Sequence, residues 1–346
     1  MSGWRPVAAL TLTLVACSAT PAFAQLDKIF GAKGVPTSGT ITTVAPDKVT
    51  IDIGGSTREV AVNEITRLVY GDEPPELTRA RDSVIQGQVE SALNDLKPLK
   101  VEEIARDFVK ADVEYYRAYC MAKIALSGGG NPQAADDALF AFVRTNRTSY
   151  HVFDATELLG NLALSQGKYE DAAKRFAFLG KAPWPDYRLR GNVNEARALT
   201  QQQKFPEALQ KYEAIIASPE NTPEVARQKS FAQVGKAICL SETGKQDEAM
   251  AILDGIIKDG DPKDAALFAR VYNAVGSCQL KADKPKDALL AYLHVDLLFA
   301  ADGEAHAEAL YNLSKLWQAV NKADRAVAAR NLLRERYSGS TWAQKK

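Results

Sequence analysis

Histidine, cysteine and methionine are scarce in this chain, and the scarcity excludes much chemistry. Three histidines serve 346 residues. None of His151, His294 and His306 has a Cys or His at metal-ligand spacing, so no zinc-type site is written in the sequence. No G-x-x-x-x-G-K-[ST] loop follows Gly39 or Gly128–Gly130, and no G-x-S-x-G elbow occurs. Carboxylate pairs such as Asp136-Asp137 lie in helical stretches and read as solvated faces and dipole partners at helix starts. Lys+Arg and Asp+Glu both number 43, for a net charge of zero, which excludes a strongly electrostatic nucleic-acid binder. No apolar run approaches the ~20 residues that span a bilayer. Neither a cofactor nor a metal is implied, and the chain reads as non-catalytic.

The first 24 residues have the form of an export signal. Arg5 supplies the early charge, Val7–Ala16 is a short apolar run, and Ala22-Phe23-Ala24 before Gln25 is an A-x-A cleavage site. A rival lies inside it: Leu14-Val15-Ala16-Cys17 resembles a bacterial lipobox, which would leave a lipid anchor on Cys17. The A-x-A site and the weakly charged start favour plain export. Both readings place the mature chain outside the cytoplasm, periplasmic or secreted, or held in the envelope through Cys17. Cleavage leaves Cys120, Cys239 and Cys278, and an odd number rules out a full disulfide framework. Buried free thiols are the expectation.

Residues 25–38 read as a linker, broken by Gly31, Gly34 and Pro36. Residues 39–71 then change period. Gly39–Val44, Val49–Ile53, Thr57–Val62 and Arg67–Tyr70 are short runs rich in Val, Ile and Thr, with turns at Pro46-Asp47 and Gly54-Gly55. A helical turn over Asn63–Ile65 precedes the last run. The pattern resembles a miniature SH3-like or Sm-like barrel. It lacks the aromatic–basic stripe of an RNA-binding surface, so a packing cap is expected. Pro74-Pro75 marks the boundary, and the first long helix is expected near Glu76.

From there to the C-terminus the chain repeats. Ala92, Ala135, Ala172, Ala208, Ala249, Ala288 and Ala326 recur 36 to 43 residues apart. Five residues before each stands a turn residue: Gly87, Gly130, Gly167, Gln203, Gly244, Asp283 and Asn321. Most are Gly, Asn or Asp, which tolerate the left-handed backbone of a helix end. Bulky residues follow four and seven places on, as in Phe176 and Leu179 or Tyr292 and Val295, on one face of a helix. A small residue between bulky ones lets two helices approach closely. A periodic helix pair is the mark of an α-solenoid.

These residues resemble the tetratricopeptide repeat (TPR) family. The likeness is best in Tyr272-Asn-Ala-Val275-Gly276 followed by Ala288 and Tyr292, and in Leu158-Leu159-Gly160 followed by Gly167, Tyr169, Ala172 and Phe176. It covers residues 76–346. It implies a mainly α fold, a solenoid of about seven helix pairs after the small β-module, with loops longer than the family's usual period. The closing Leu332–Ala343 resembles repeat ends of bacterial envelope proteins, with Ser338 where proline usually follows the Tyr.

The resemblance also implies where a ligand would touch. In that family, contacts come from the second, fifth, sixth, ninth and twelfth positions of the first helices. Carried over, these give Asp154, Glu157 and Asn161; Arg190, Asn194 and Arg197; Arg270 and Asn273; and Tyr311 and Lys315. Arg and Asn can hold a peptide by charge-assisted bonds. The family's carboxylate clamp needs a Lys in the Asn161 unit, where Glu157 stands, which counts against C-terminal-peptide clamping. The implied partner is a protein or peptide of the cell envelope, with no nucleic acid. Alternatives are a cell-wall carbohydrate, for which only Tyr311 supplies an inner aromatic, and a lipoprotein role in an outer-membrane assembly complex. Trp184, between two prolines, is either a local plug or an exposed anchor.

Overall fold

The computed structural model describes residues 26–32 and 34–345; the export signal and Cys17 lie outside the described residues. Five strands come first: β1 (Asp27–Gly31), β2 (Thr37–Val44), β3 (Lys48–Ile53), β4 (Ser56–Ala61) and β5 (Ile65–Val69). They form one antiparallel sheet in the order β4-β3-β2-β1-β5, with a single 3₁₀ turn at Val62–Glu64 before β5. Strand β1 corrects the linker expected over 25–38, and the module starts at Asp27 rather than at residue 39. The breakers Gly31, Gly34 and Pro36 shape the β1–β2 connection instead. Asp27 is buried because Arg106 and the amides of Ile41 and Gly71 bond its carboxylate, a partner set no local pattern reveals. Tyr70 lies just past β5 and is buried.

Seven helix pairs follow: α1 (Pro75–Ile85) with α2 (Val89–Leu96), α3 (Asp107–Leu126) with α4 (Pro132–Thr145), α5 (Val152–Ser165) with α6 (Tyr169–Leu179), α7 (Pro185–Gln201) with α8 (Phe205–Ile216), α9 (Pro223–Glu242) with α10 (Gln246–Asp259), α11 (Ala265–Lys281) with α12 (Pro285–Leu298), and α13 (Gly303–Ala319) with α14 (Ala323–Arg336). A short α15 (Thr341–Gln344) closes the chain. All seven turn residues named above have positive φ, from 57° at Asp283 to 87° at Gly244. Six of them end a first helix in the left-handed conformation that frees the backbone to reverse, and in the second pair Gly128, also at positive φ, does so two residues before Gly130. The seven alanines are all buried.

The small–bulky contact is direct. A Cβ on Gly160 would strike the Phe176 ring, one on Gly235 the Tyr212 ring, and one on Gly276 the Tyr292 ring. The rings fill space that only a hydrogen leaves open, so first and second helices approach without a gap. Trp184 is a plug: it packs against Phe153 and Tyr187, with ring centroids 5.8 and 5.2 Å away. Cys120, Cys239 and Cys278 are free and buried, as expected.

The superhelix returns on itself. A Cβ on Gly128, in the α3–α4 turn, would overlap the main chain of Arg336 and Tyr337 after α14. One on Gly303 would lie 3.7 Å from the Ser127 Cα. Arg197 on α7 pairs with Glu304 on α13. The inner face is therefore the wall of a nearly closed turn.

Two glycine substitutions separate close packing from helix propensity. Gly235→Ala should lose about 1–3 kcal/mol by forcing the Tyr212 ring aside. Gly255→Ala should gain about 0.5–1 kcal/mol, because Gly255 lies inside α10 with nothing within 4 Å of a new Cβ. Urea unfolding of both variants checks the two signs.

Candidate binding face

The first helices line the inside of the turn, and their polar side chains meet there. Arg190 on α7 contacts two carboxylates on α5: its Nη2 lies 3.2 Å from Asp154 Oδ1 and its Nε 3.0 Å from Glu157 Oε2. Asn194, one turn on, donates to Glu157 at 3.5 Å. Asn161 is half-buried on the same face of α5. Farther round, Arg270 Nε on α11 lies 3.7 Å from Asp302 Oδ2. Asn273 donates to the Ala305 carbonyl at 2.8 Å and to Glu308 at 3.3 Å. Lys315 is exposed, its Nζ 4.5 Å from the Tyr311 ring centroid. The end of the chain covers the same ring: Trp342 lies 5.5 Å from Tyr311, and Lys345 Nζ sits 3.5 Å over Trp342.

Thus the residues selected by repeat position do come together on one inner surface. Most already hold one another. Arg190 and Asn273 face carboxylates of the adjoining first helix, and Arg197 faces one across the turn, so a ligand here would exchange ion pairs instead of meeting bare ones. The exchange has an electrostatic bias. Burial raises the Glu157 carboxyl above its usual range, although Arg190 opposes this. Burial, aided by the neighbouring Glu304, pushes Glu308 up to about 7. Burial and the like charge of Arg197 lower the Arg270 guanidinium. For Asp302, burial acts upward, but Arg270 and the Ala305 amide more than offset it and hold the carboxyl low.

Three inner side chains escaped the sequence reading. Phe231 on α9 lies under Arg227 and Arg270, at 4.9 and 5.3 Å. On α3, Tyr115 takes the place that Asp154 takes on α5, and Tyr119 stands one turn on, at the place of Leu158. The signal was hidden by the triple glycine. Gly128, not Gly130, makes the helix-end bond to Ala125 that Gly167 makes to Leu164. Counting from Gly130 shifts α3 by two residues and turns its tyrosines out of register.

The raised Glu308 sets a pH dependence. Between about pH 4.5 and 7 the folded chain holds a proton that the unfolded chain releases, so this group costs stability as pH rises through that window. Glu308→Gln should gain about 1–3 kcal/mol over the parent at pH 8, with the difference closing below pH 4.5. Paired thermal melts at the two pH values measure it.

Neither a protein-family model nor a curated protein matches the sequence. Solved structures do. A tetratricopeptide repeat protein from Parabacteroides merdae is similar at TM-score 0.53 and 17% identity, over 76% of this chain and 92% of that one. A Rap protein complexed with competence and sporulation factor is similar at TM-score 0.51 and 12% identity, over 78% of this chain and 76% of that one. At such identities the likeness carries the architecture. The helical part of this chain has a TPR-like fold.

Proposed function

We propose that this chain is a non-catalytic scaffold that holds a partner protein or peptide on the inner face of its solenoid. The observation that carries the reading is the convergence of Asp154, Glu157, Arg190, Asn194, Arg197 and Arg270 from separate helices onto one concave wall. A wall of alternating charges on rigid helices presents polar partners at fixed positions, which is what recognition of a polar main chain needs. The Rap structure, complexed with competence and sporulation factor, supports a peptide as one class of partner for such an architecture. The setting we propose is the bacterial envelope, on the strength of the A-x-A site at Ala22–Ala24.

Site-specific photocrosslinking tests the face. A photoreactive residue at Asn161 or Lys315 should capture a discrete partner in cells, and one at Leu297, which is 73% exposed, should not. Capture from Leu297 alone would contradict the inner-face assignment. The setting has its own test. Mass spectrometry of the protein from its cell of origin should show a mature start at Gln25. A lipidated start at Cys17 would favour the anchored alternative, and an intact Met1 would remove export altogether.

A further inference from the structure

The outer face of the solenoid carries a ridge that the repeat itself does not call for. From the second pair onward, the other units have Asp137, Lys174, Gln210, Ala251 and Ala328 at the place of Leu290. At the place of Leu297 they have Arg144, Lys181, Ala217, Lys258 and Glu335. All are polar or small, as suits a solvated helix face. Among these units α12 alone puts leucine at both places. Leu290 is 57% exposed, Leu297 73% and Leu298 65%. With the half-buried Leu293 between them, Leu290 and Leu297 stand at i, i+3 and i+7 on one side of the helix.

The adjoining fifth pair has the opposite relief. A groove of about 480 Å³ runs between α9 and α10, and Ile216, Ala251, Ile252, Gly255 and Ile256 form its apolar part. A Cβ on Gly255 would meet nothing within 4 Å. Ala251 stands at the repeat position of Leu290, and Gly255 at that of His294, so the surface is low on α10 where it is high on α12. The charges differ in the same way. Asp259 is the last residue of α10 and Lys286 the second of α12. Each opposes the dipole of its own helix. Three other second helices carry an acid at the place of Lys286: Glu170, Asp247 and Asp324. Lys286 and Asp259 are exposed, and neither forms an ion pair among the described residues.

We propose that this outer face pairs two copies of the chain about a two-fold axis, with the α12 leucines of each lying in the α9–α10 groove of the other. Three features select a second copy. First, ridge and groove belong to adjoining units, so one two-fold rotation seats both ridges in both grooves and closes the assembly. Second, α12 then runs antiparallel to α10 of the other copy, which brings Lys286 to Asp259. Each charge gains an opposite charge and the end of a helix whose dipole favours it. Third, a single helix-on-helix contact falls short of the ~1,200 Å² at which stable specific interfaces begin, and two reciprocal contacts make up the difference. Asp254, Asp259 and Asp287 are exposed on the same two helices, which disfavours an anionic bilayer as the occupant. The proposal does not rest on the inner-face reading.

The test is sedimentation velocity of the chain purified as it occurs in its cell. Across about 1–100 µM, the range for a contact of this modest size, the mass should rise from one copy to two and stop there. Leu297→Asp and Gly255→Arg should each hold the chain at one copy throughout. Both positions are exposed, so the fold is kept, as an unchanged circular dichroism spectrum would confirm. Lys286→Asp and Asp259→Lys should each weaken the dimer roughly fivefold, since the contact occurs twice, and the two together should restore it. In the crosslinking experiment, a photoreactive residue at Leu297 that joins two copies gives twice the mass of this chain, which separates it from capture of a different protein. Four results would overturn the proposal: one copy at every concentration, assembly beyond two copies, a dimer indifferent to Gly255→Arg, or no rescue by the double charge exchange.

Discussion

Everything in this architecture depends on how closely two helices can approach at a small residue. Gly160, Gly235 and Gly276 each lie under an aromatic ring of a second helix, with no room for a methyl group. The rings are buried, and each contributes about 2–3 kcal/mol of transfer free energy relative to exposure. Repeated along the chain, the contact fixes the separation and rotation between neighbours. A solenoid sums such nearest-neighbour terms, so a small error in one would accumulate into a different curvature. Here the accumulated curvature is enough to bring the seventh pair back to the second.

That return decides what the inner face can be. Arg190 and Arg270 pair with Asp154, Glu157 and Asp302 of adjoining units, contacts that any curvature would keep. Closure adds the pair of Arg197 with Glu304 across a narrow space and takes all of these groups out of open solvent, where each pair would contribute little. Burial then becomes the leading influence on their titration. The same side chains that make the wall rigid also set the terms on which it can be rearranged. A partner must supply equivalent bonds as it displaces the internal ones.

Much of this was legible in the sequence because the repeat is local. A turn residue five places before an alanine, with bulky residues after it, specifies a helix end, a reversal and a packed face within one unit. The left-handed Gln203, Asp283 and Asn321 fell at the expected places although none is glycine. What was not legible is non-local. Strand β1 has too few residues to show a period, and the groups that bury Asp27 come from three other segments, around Ile41, Gly71 and Arg106. The pairing of Arg197 with Glu304 depends on curvature summed over the two intervening units. Tyr115 and Tyr119 were missed for a third reason: Gly128–Gly130 offers more than one turn register, and the choice between them is made by backbone bonds that composition does not reveal.

The most direct measurement of the closed turn is a disulfide across its seam. Gly303 and Ser127 belong to the seventh and second pairs, and a Cβ on Gly303 would lie 3.7 Å from the Ser127 Cα, within bridging reach. The three cysteines among the described residues are buried and leave the assay clean. Ser127→Cys/Gly303→Cys should oxidise rapidly to a single intramolecular bridge without loss of helical signal. Two thiols that stay free and reactive under the same oxidant would contradict the closed superhelix on which this account stands.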